Sequence, residues 1–548
     1  MNFRASWLLI LMVLPVRAYG QHDIGRNAVR LLSVGETDTA IKMMTDPPGK
    51  RERPINAPER CFVSAMAACQ QGDAAAALSH AKKAVDYGLP PERFQAGPRE
   101  VIEPLYAYEE RRSWMKEKCK RLLHGPMLGS LTDTTASFWG RTTKETDVKV
   151  VVQPVLENAS GKIAALTGES RTSCPLDFTA VITVPGLSPD TRYRYEVLVN
   201  NERVKTSAEF RTYPKKGSFA RFRIVFGGGA GFTPQHEKMW TTIGRQKPIA
   251  MFLLGDNVYI NDPQHSLTQR YCYYRRQSQA DWRRLIASTG VYSIYDDHDF
   301  GTNDCVPGPE IERPRWKREV WNVFRQNWNN PSYGGGTEQP GCWYSFTIGD
   351  VHFMMLDGRY YRDLEGGTML GPVQKAWLFE TLKASKGRFK VLASPVPWSR
   401  GVKPGSEDTW DGYPEERREV FDFIAKNRIE GVILMAADRH RSDLRKMRRA
   451  GAYDLYEVMS SRLTNMHTHR LMERAKGSEF IMGYAAKCSF GRMDFDTTAE
   501  DPQVKYSIVN IDGEVIDSRT LKLTELAFDN EGNADEGQSS REKKRERE

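Results

Sequence analysis

Acidic and histidine side chains follow four short apolar runs of the sequence, and each run has the length and composition of a β-strand. The four polar segments are Gly255-Asp256-Asn257-Val258-Tyr259, Asp296-Asp297-His298-Asp299, Asp357-Gly358-Arg359 and Ala437-Asp438-Arg439-His440. In an α/β sheet, ligands bind at the carboxyl ends of the strands, so we expect these side chains to lie near one another. Carboxylates gathered this closely repel one another unless cations neutralise them. The pattern therefore predicts a metal centre.

The donor types narrow the choice of metal. Oxygen ligands together with imidazole suit Mg, Mn, Ca, Fe or Zn, and a phenolate such as that of Tyr259 would favour ferric iron. A single Asp after a strand is more often a turn former or a helix cap. Four at matching positions favour a shared site, and no turn explains the presence of His298. Asp350 differs, because Gly349-Asp350 is typical of a tight turn between two strands.

Predicted strands and helices alternate around these segments, which indicates an α/β layered domain. The predicted strands are Phe222–Phe226, Ala250–Leu254, Val291–Tyr295, Val351–Leu356, Lys390–Ala393, Gly431–Met435 and Tyr453–Met459. The predicted helices are Leu267–Ser288, Arg313–Trp328, Pro372–Ser385 and Pro414–Asn427.

Two other regions precede this domain. Residues 21–123 are predicted to be helical, and two apolar-periodic runs around Gly72-Asp73 resemble one tetratricopeptide repeat. A lone repeat cannot bury its own face, so we expect the hairpin to dock on the rest of the chain, with a protein partner as the alternative. Residues 124–215 show the two-residue period of half-buried strands, and Leu187–Tyr193 resembles the tyrosine corner of a fibronectin type III sandwich.

Composition limits the class of protein further. A chain of 548 residues is expected to form about two to four domains. Its net charge of +9 comes from 79 basic and 70 acidic residues of interspersed sign, which favours a solvated surface over a nucleic-acid-binding one. Eight cysteines without CxxC or CxxH spacing argue against a zinc ribbon. Disulfides and buried free thiols are both compatible with their number.

The two ends of the chain have special compositions. A basic residue, the apolar run Trp7–Leu14 and Ala18-Tyr19-Gly20 predict a secretory signal peptide over residues 1–20, and hence a periplasmic or extracellular protein. That run is too short to span a bilayer and no other stretch approaches the required length, so no stable membrane span is expected. Residues 527–548 are rich in charged and small polar residues and are predicted to be a disordered tail.

The motifs resemble those of the PhoD-like (alkaline phosphatase D) branch of the calcineurin-type metallophosphoesterases. They occur in the family's order within residues 219–526: Leu254–Tyr259, Tyr295–Asp299, Leu356–Arg359, Leu370–Leu378, Ala437–His440 and Ser460–Thr464. This resemblance implies a four-layer α/β/β/α sandwich that follows the β-sandwich domain in the chain. It also implies a metal-dependent phosphatase with two metal ions, with Fe, Ca, Mn and Zn as the choices.

The resemblance also assigns roles to particular residues. Asp256 would bridge the two ions, Tyr259 would bind one of them as a phenolate, and His298 would contact the phosphate or protonate the leaving oxygen. The implied metal ligands are Asp256, Tyr259, Asp297 (in the place of a metal-binding Asn), Asp438 and His440. Arg359 and Arg439 are candidates to offset charge on the phosphoryl oxygens, because a planar guanidinium binds them bidentately. A structural salt bridge is an equal alternative for Arg359.

Three positions depart from the family pattern. Gly229 stands where the family usually has a metal-binding Cys or Asp, Ser394-Pro395 stands where related enzymes have a His, and Ala437 replaces a Gly. The loss of a thiolate weakens the case for tightly held iron. Residues near enough in sequence to substitute are His236, Asp262, His265, Asp299 and Asp304.

The sequence thus predicts an exported phosphatase that hydrolyses phosphomonoesters, phosphodiesters or both by hydroxide activated at two metal ions. A dedicated phosphodiesterase is the nearest alternative. Because of Gly229, a catalytically weakened or inactive member that binds a partner is a second alternative. No Gly-x-Ser-x-Gly elbow is present, which disfavours a serine esterase.

Overall fold

The structure is a computed structural model that describes residues 22–46, 52–53, 55–116, 118–155 and 164–529. The predicted signal peptide, residues 1–20, and residues 530–548 of the predicted tail lie outside the described residues.

The first region is helical. Its helices are α1 (Ile24–Ser33), α2 (Thr37–Thr45), α3 (Ala57–Gln70), α4 (Ala74–Asp86), α5 (Arg93–Ala96), α6 (Arg99–Ala107) and α7 (Glu109–Met115), with a short parallel pair β1 (His22–Asp23) and β2 (Glu52–Arg53). Helices α3 and α4 pack closely because small side chains such as Ala65, Ala77 and Ala81 are fully buried where the pair meets. The Asp73 carboxylate caps α4 by accepting a hydrogen bond from the N–H of Ala76.

The second region is a two-sheet β-sandwich. Its strands are β3 (Leu122–Gly129), β4 (Thr135–Thr142), β5 (Asp147–Pro154), β6 (Leu166–Arg171), β7 (Thr179–Pro185), β8 (Arg192–Val199) and β9 (Glu202–Arg211). The sheets have the orders β3-β4-β7 and β6-β5-β8-β9. Phe138 of one sheet packs on Tyr195 and Phe210 of the other, at ring distances of 4.5 and 5.6 Å. The Tyr193 hydroxyl accepts a hydrogen bond from the N–H of Ser188, 2.8 Å away.

The third region alternates strands and helices. Its strands are β10 (Arg221–Gly227), β11 (Ala250–Leu254), β12 (Gly290–Ile294), β13 (Tyr344–Ile348), β14 (Val351–Met355), β15 (Phe389–Ala393), β16 (Val432–Ala436), β17 (Ser442–Met447), β18 (Leu455–Ser460), β19 (Glu479–Tyr484), β20 (Ser489–Asp496), β21 (Gln503–Asn510) and β22 (Val515–Lys522). Its helices are α8 (Met239–Arg245), α9 (Ser266–Gln277), α10 (Ala280–Ile286), α11 (Asp297–Phe300), α12 (Trp316–Asn327), α13 (Gly371–Ala384) and α14 (Pro414–Lys426).

These strands form two mixed sheets. The first has the order β12-β11-β10-β20-β21-β22, in which β10, β11 and β12 are parallel. The second has the order β13-β14-β15-β16-β18-β17-β19, in which β14, β15, β16 and β18 are parallel. The sheets pack face to face, since Phe252 of β11 contacts Phe353 of β14 at a ring distance of 5.0 Å. The loops that follow the parallel strands carry every strand-end motif of the sequence.

The prediction differs from the structure in three respects. One helix was expected over Leu267–Ser288, but the chain breaks at Ser278-Gln279 into α9 and α10. Helices α8 and α11 and strands β17 and β19 to β22 were not predicted. All eight cysteines lie in described segments and are free thiols, so the disulfide alternative does not hold in this structure. Among the described residues, no helix has both the length and the apolarity needed to cross a bilayer.

Candidate metal centre

The loop after β11 adopts a backbone conformation that non-glycine residues rarely take. Asp256 has φ +56° and Tyr259 has φ +54°, both in the left-handed region. Asp299 holds this turn: its carboxylate accepts hydrogen bonds from the N–H groups of Asn257, Val258 and Tyr259 at 2.8, 2.9 and 3.3 Å. Burial raises the pKa of Asp299 to about 6, although these three donors oppose the shift. Asp299 is therefore an organiser of the loop.

The N-terminal helix also braces this loop. Arg26 of α1 is 6% exposed and donates a hydrogen bond to the carbonyl oxygen of Tyr259 over 3.0 Å. Helix α1 packs on α9, which follows the same loop in the chain. The helical region thus contributes directly to the conformation of the loop after β11.

Tyr259, His440 and Asp256 meet on one side of the centre. The Tyr259 hydroxyl lies 2.7 Å from Nε2 of His440, and the Asp256 Oδ2 lies 3.8 Å from the same nitrogen. Asp256 Oδ1 and His440 Nδ1 are buried and have no hydrogen-bond partner among the described residues. A phenol, an imidazole and a carboxylate that converge in this way form a donor set for one cation.

Asp256 also belongs to a second donor group. Ligand atoms of Asp256, Asp297 and His298 all lie within 4.8 Å of one another. Burial, together with the charges of Asp297 and other nearby carboxylates, raises the pKa of Asp256 well above its ordinary value. Asp438 lies close enough to contribute to that repulsion, and its Oδ2 has no hydrogen-bond partner among the described residues. Such repulsion is relieved by a bound cation, so the residues fit a metal on this side as well.

His298 belongs to the second donor group and also contacts Tyr259 of the first. Its ring stacks on Tyr259 at 4.7 Å, and its Nδ1 is hydrogen-bonded to Oδ1 of Asn261. Because Oδ1 only accepts, Nδ1 carries the proton of the neutral ring and Nε2 is left with a lone pair. Burial lowers the pKa of His298, so the neutral ring prevails at neutral pH.

The two arginines have different surroundings. Arg359 is fully buried, with its Nε 2.5 Å from Asp296 and its NH1 2.6 Å from Asp408. These two ion pairs favour the structural alternative, although the buried NH2 of Arg359 has no hydrogen-bond partner among the described residues and lies 3.9 Å from Asp297. Arg439 is 8% exposed, and its NH1 lies 3.6 Å from Oδ2 of Asp438.

Gly229 cannot be replaced without a clash. Its φ is +68°, and a Cβ atom there would lie 2.8 Å from the backbone nitrogen of Arg462 and 3.0 Å from Oγ of Ser461. No protein ligand can therefore project from this position without a shift of the backbone. Its peptide instead links the loops, since the Gly229 carbonyl accepts hydrogen bonds from the N–H groups of Thr464 and Asn465.

The proposed substitutes for that ligand are mostly engaged elsewhere. His236 Nδ1 lies 2.9 Å from the carbonyl oxygen of Thr464, and Asp262 and His265 bond to each other over 2.7 Å. Asp304 alone of these joins a potential ligand cluster, with Asp297 and Asp408.

Sequence reasoning missed several residues at the centre. Lys403 lies 2.9 Å from Asp304, 2.7 Å from Asp408 and 3.7 Å from Asp438, and so neutralises the edge of the carboxylate group. His467 and His469 lie beside His440, with ligand atoms of all three within 4.8 Å of one another. All three lie several residues beyond the ends of the predicted strands Lys390–Ala393 and Tyr453–Met459, whereas the predicted donors follow strand ends directly. The His-x-His spacing of 467 and 469 was the one available signal.

The fold and the donor set define a class of protein: an α/β phosphoesterase of the metal-dependent type, with carboxylate, imidazole and phenol donors at the strand ends. A family model described as PhoD-like phosphatase matches residues 224–515, and the chain belongs to this family. A second model, described as Domain of unknown function (DUF7800), matches residues 119–217 and thus the β-sandwich.

Known proteins support the assignment. Alkaline phosphatase D of Bacillus subtilis (strain 168) is 23% identical in an alignment 312 residues long, which covers 48% of this chain and 53% of that protein. The chain thus spans about half the length of that curated relative. A solved structure titled "Structure of PhoD" has a TM-score of 0.60 at 17% identity and covers 72% of this chain and 88% of its own. Purple acid phosphatase PPD1 of yellow lupin (Lupinus luteus) has a TM-score of 0.55 at 13% identity, covering 73% and 75%. At these identities the two structures establish a shared fold.

Proposed function

We propose that this chain is a metal-dependent hydrolase of phosphomonoesters, phosphodiesters or both. One observation carries the proposal: the Asp256 carboxylate lies within reach of the Tyr259–His440 pair and also of the Asp297–His298 pair. A carboxylate shared between two donor groups is what a bridging ligand of a two-metal centre requires. Membership of a phosphatase family agrees with this chemistry.

The two donor groups differ in chemical character. Tyr259 and His440 would hold one ion, Asp297 and Asp438 would hold the other, and Asp256 would serve both. When bound, two cations supply an activated hydroxide near neutral pH and stabilise the charge of a phosphoryl group. The mixed oxygen and nitrogen donors are compatible with Fe, Ca, Mn or Zn.

His298 and Arg439 would handle the substrate. The neutral His298 ring has its Nε2 lone pair available, and an anionic phosphoryl group beside it would raise the pKa of His298 again. Nε2 would then carry a proton that can pass to the leaving oxygen. Arg439 is 8% exposed and would donate hydrogen bonds to phosphoryl oxygens, since a long contact to Asp438 is its one ion pair among the described residues.

The proposal extends to the location of the protein and to the arrangement of its domains. Export by a signal peptide over residues 1–20, to the periplasm or the exterior, would suit scavenging of phosphate esters. The order of the two β-sheets and the bond between Tyr193 and Ser188 support a fibronectin-type sandwich. The two facing sheets of residues 219–526 support a four-layer core.

The test compares aryl phosphate hydrolysis by metal-loaded wild type, Asp256→Asn and a control, Asp86→Asn, on the exposed face of α4. We expect Asp256→Asn to reduce turnover at least about a hundred-fold, because a bridging charge is lost, and Asp86→Asn to match wild type. The ratio of rates on aryl mono- and diesters assigns the substrate class. Wild-type protein that stays inactive after addition of Mn, Ca, Fe or Zn would refute the proposal in favour of an inactive, partner-binding relative.

A further inference from the structure

The loop that follows β18 brings two histidines to the centre. Ring centroids of His467 and His469 lie 5.3 and 5.5 Å from that of His440, and 4.5 Å from each other. Their ligand nitrogens lie within 4.8 Å of one another. For Zn–N bonds of about 2.0–2.1 Å in tetrahedral geometry, the nitrogens must be about 3.3 Å apart. Both side chains are partly exposed, and binding of the metal would require their nitrogens to move to that spacing.

His440 is oriented to serve such a group. Its Nε2 faces the hydroxyl of Tyr259 over 2.7 Å and lies 3.8 Å from Oδ2 of Asp256, so the ion proposed for the Tyr259–His440 pair would bind at this nitrogen. Three adjacent imidazoles are also a donor set that binds Zn, Cu, Ni or Fe.

The loop itself is fastened to His440. The Thr468 hydroxyl lies 3.0 Å from the carbonyl oxygen of His440 and 3.1 Å from that of Ala485, and it can donate to either. The N–H of His467 donates to Oδ1 of Asn465 over 3.2 Å. These bonds place one histidine on each side of an anchored residue, so the loop presents both rings to the centre.

Gly229 cannot carry a side chain without a clash, so the loop after β10 offers no side-chain ligand at this position. We propose that His467 and His469 are metal ligands that, with His440, bind a nitrogen-preferring transition metal such as Zn²⁺ at the imidazole side of the centre. The carboxylate side, formed by Asp256, Asp297 and Asp438, then takes a harder cation such as Mn²⁺ or Ca²⁺. This inference rests on the proposed function, since His440 belongs to both.

Equilibrium dialysis of the full chain against Zn²⁺, and separately against Mn²⁺, tests the inference. We expect the double variant His467→Ala/His469→Ala to bind Zn²⁺ at least about ten-fold more weakly than wild type, with Mn²⁺ binding unchanged. The control, Met466→Ala, removes a side chain on the same loop that is 46% exposed, and should match wild type. Zinc binding by the double variant within two-fold of wild type would overturn the inference.

A second measurement does not depend on a variant that folds. X-ray absorption of Zn-loaded wild type should show three imidazole ligands, whereas a single imidazole would overturn the assignment. Hydrolysis of an aryl phosphate, measured in parallel, separates the two claims. Wild type that is active but shows only one imidazole on zinc refutes the histidine site alone, whereas wild type without bound metal or activity refutes the proposed function as well.

Discussion

Replacement of Gly229 should destabilise the protein even where it restores a side chain that could bind a metal. The resemblance to the family leads one to expect a Cys or Asp at this position. The structure gives two reasons against it: a φ of +68° and a backbone nitrogen 2.8 Å from the site of a Cβ atom. That nitrogen belongs to Arg462, whose backbone is fixed between β18 and the loop bonded to Gly229.

The cost of the left-handed backbone and the cost of the steric clash at Gly229 can be estimated separately. A non-glycine residue in the left-handed region costs about 1–2 kcal/mol, and overpacking against a part that cannot move adds about 1–3 kcal/mol. Gly229→Ala should therefore reduce the free energy of unfolding by about 2–5 kcal/mol. Gly451 has a φ of +71° and nothing within 4 Å of its Cβ position, so Gly451→Ala should show the backbone effect alone.

Urea unfolding followed by tryptophan fluorescence measures both variants against wild type, and the midpoint of the transition is compared because several domains need not unfold as one. We expect the midpoint to fall further for Gly229→Ala than for Gly451→Ala. We also expect Gly229→Asp to bind metal no more tightly than wild type. Equal midpoints for the two alanine variants, or tighter metal binding by Gly229→Asp, would refute the steric argument.

Three further results are expected. Arg26→Met removes a buried, charged hydrogen-bond donor to the Tyr259 carbonyl, so metal affinity measured by dialysis should fall about ten-fold. The circular dichroism spectrum should stay that of wild type. Unchanged metal affinity would show that α1 does not brace the loop. Asp408→Asn leaves Arg359 without one of its buried carboxylate partners, so the free energy of unfolding measured in urea should fall by about 3–5 kcal/mol. A decrease below about 1 kcal/mol would contradict a structural role for the Arg359–Asp408 ion pair. Burial lowers the pKa of His352 from 6.5 to about 4, so the folded protein favours the neutral imidazole. The contribution of this group to the free energy of unfolding is therefore full above pH 6.5 and is lost as the pH falls toward 4. His352→Gln should flatten the dependence of the urea midpoint on pH in that window, and an unchanged slope would exclude His352 as its source.

The parallel strands could be predicted because they are buried on both faces and appear as short apolar runs. Ala250–Leu254 coincides with β11 in every residue, and the other predicted strands differ from the structure by one or two residues at their ends. Strand β17 was not predicted because it carries a buried ion pair, Asp443–Arg445, in place of an apolar run. Strand β22 was not predicted because most of its side chains are exposed.

The residues of the candidate metal centre also divide into those that the sequence predicts and those that it does not. Asp256, Tyr259, Asp438 and similar donors follow predicted strands, so topology alone gathers them at one edge. Other contributors come from distant segments without a strand pattern: Arg26 meets Tyr259 across 233 positions of the chain, and Lys403 lies in a loop. Contacts of this kind depend on how domains and loops pack, which one sequence does not encode locally.

The metal content of the full chain tests the central claim most directly. The protein is stripped with a chelator, reloaded with Zn²⁺ and Mn²⁺ together, freed of unbound metal and analysed by mass spectrometry, alongside Asp256→Asn. The two donor groups that share Asp256 predict two ions per wild-type chain and at most one in the variant. A wild-type chain that retains no ion, or a variant that retains as many ions as wild type, would contradict the account.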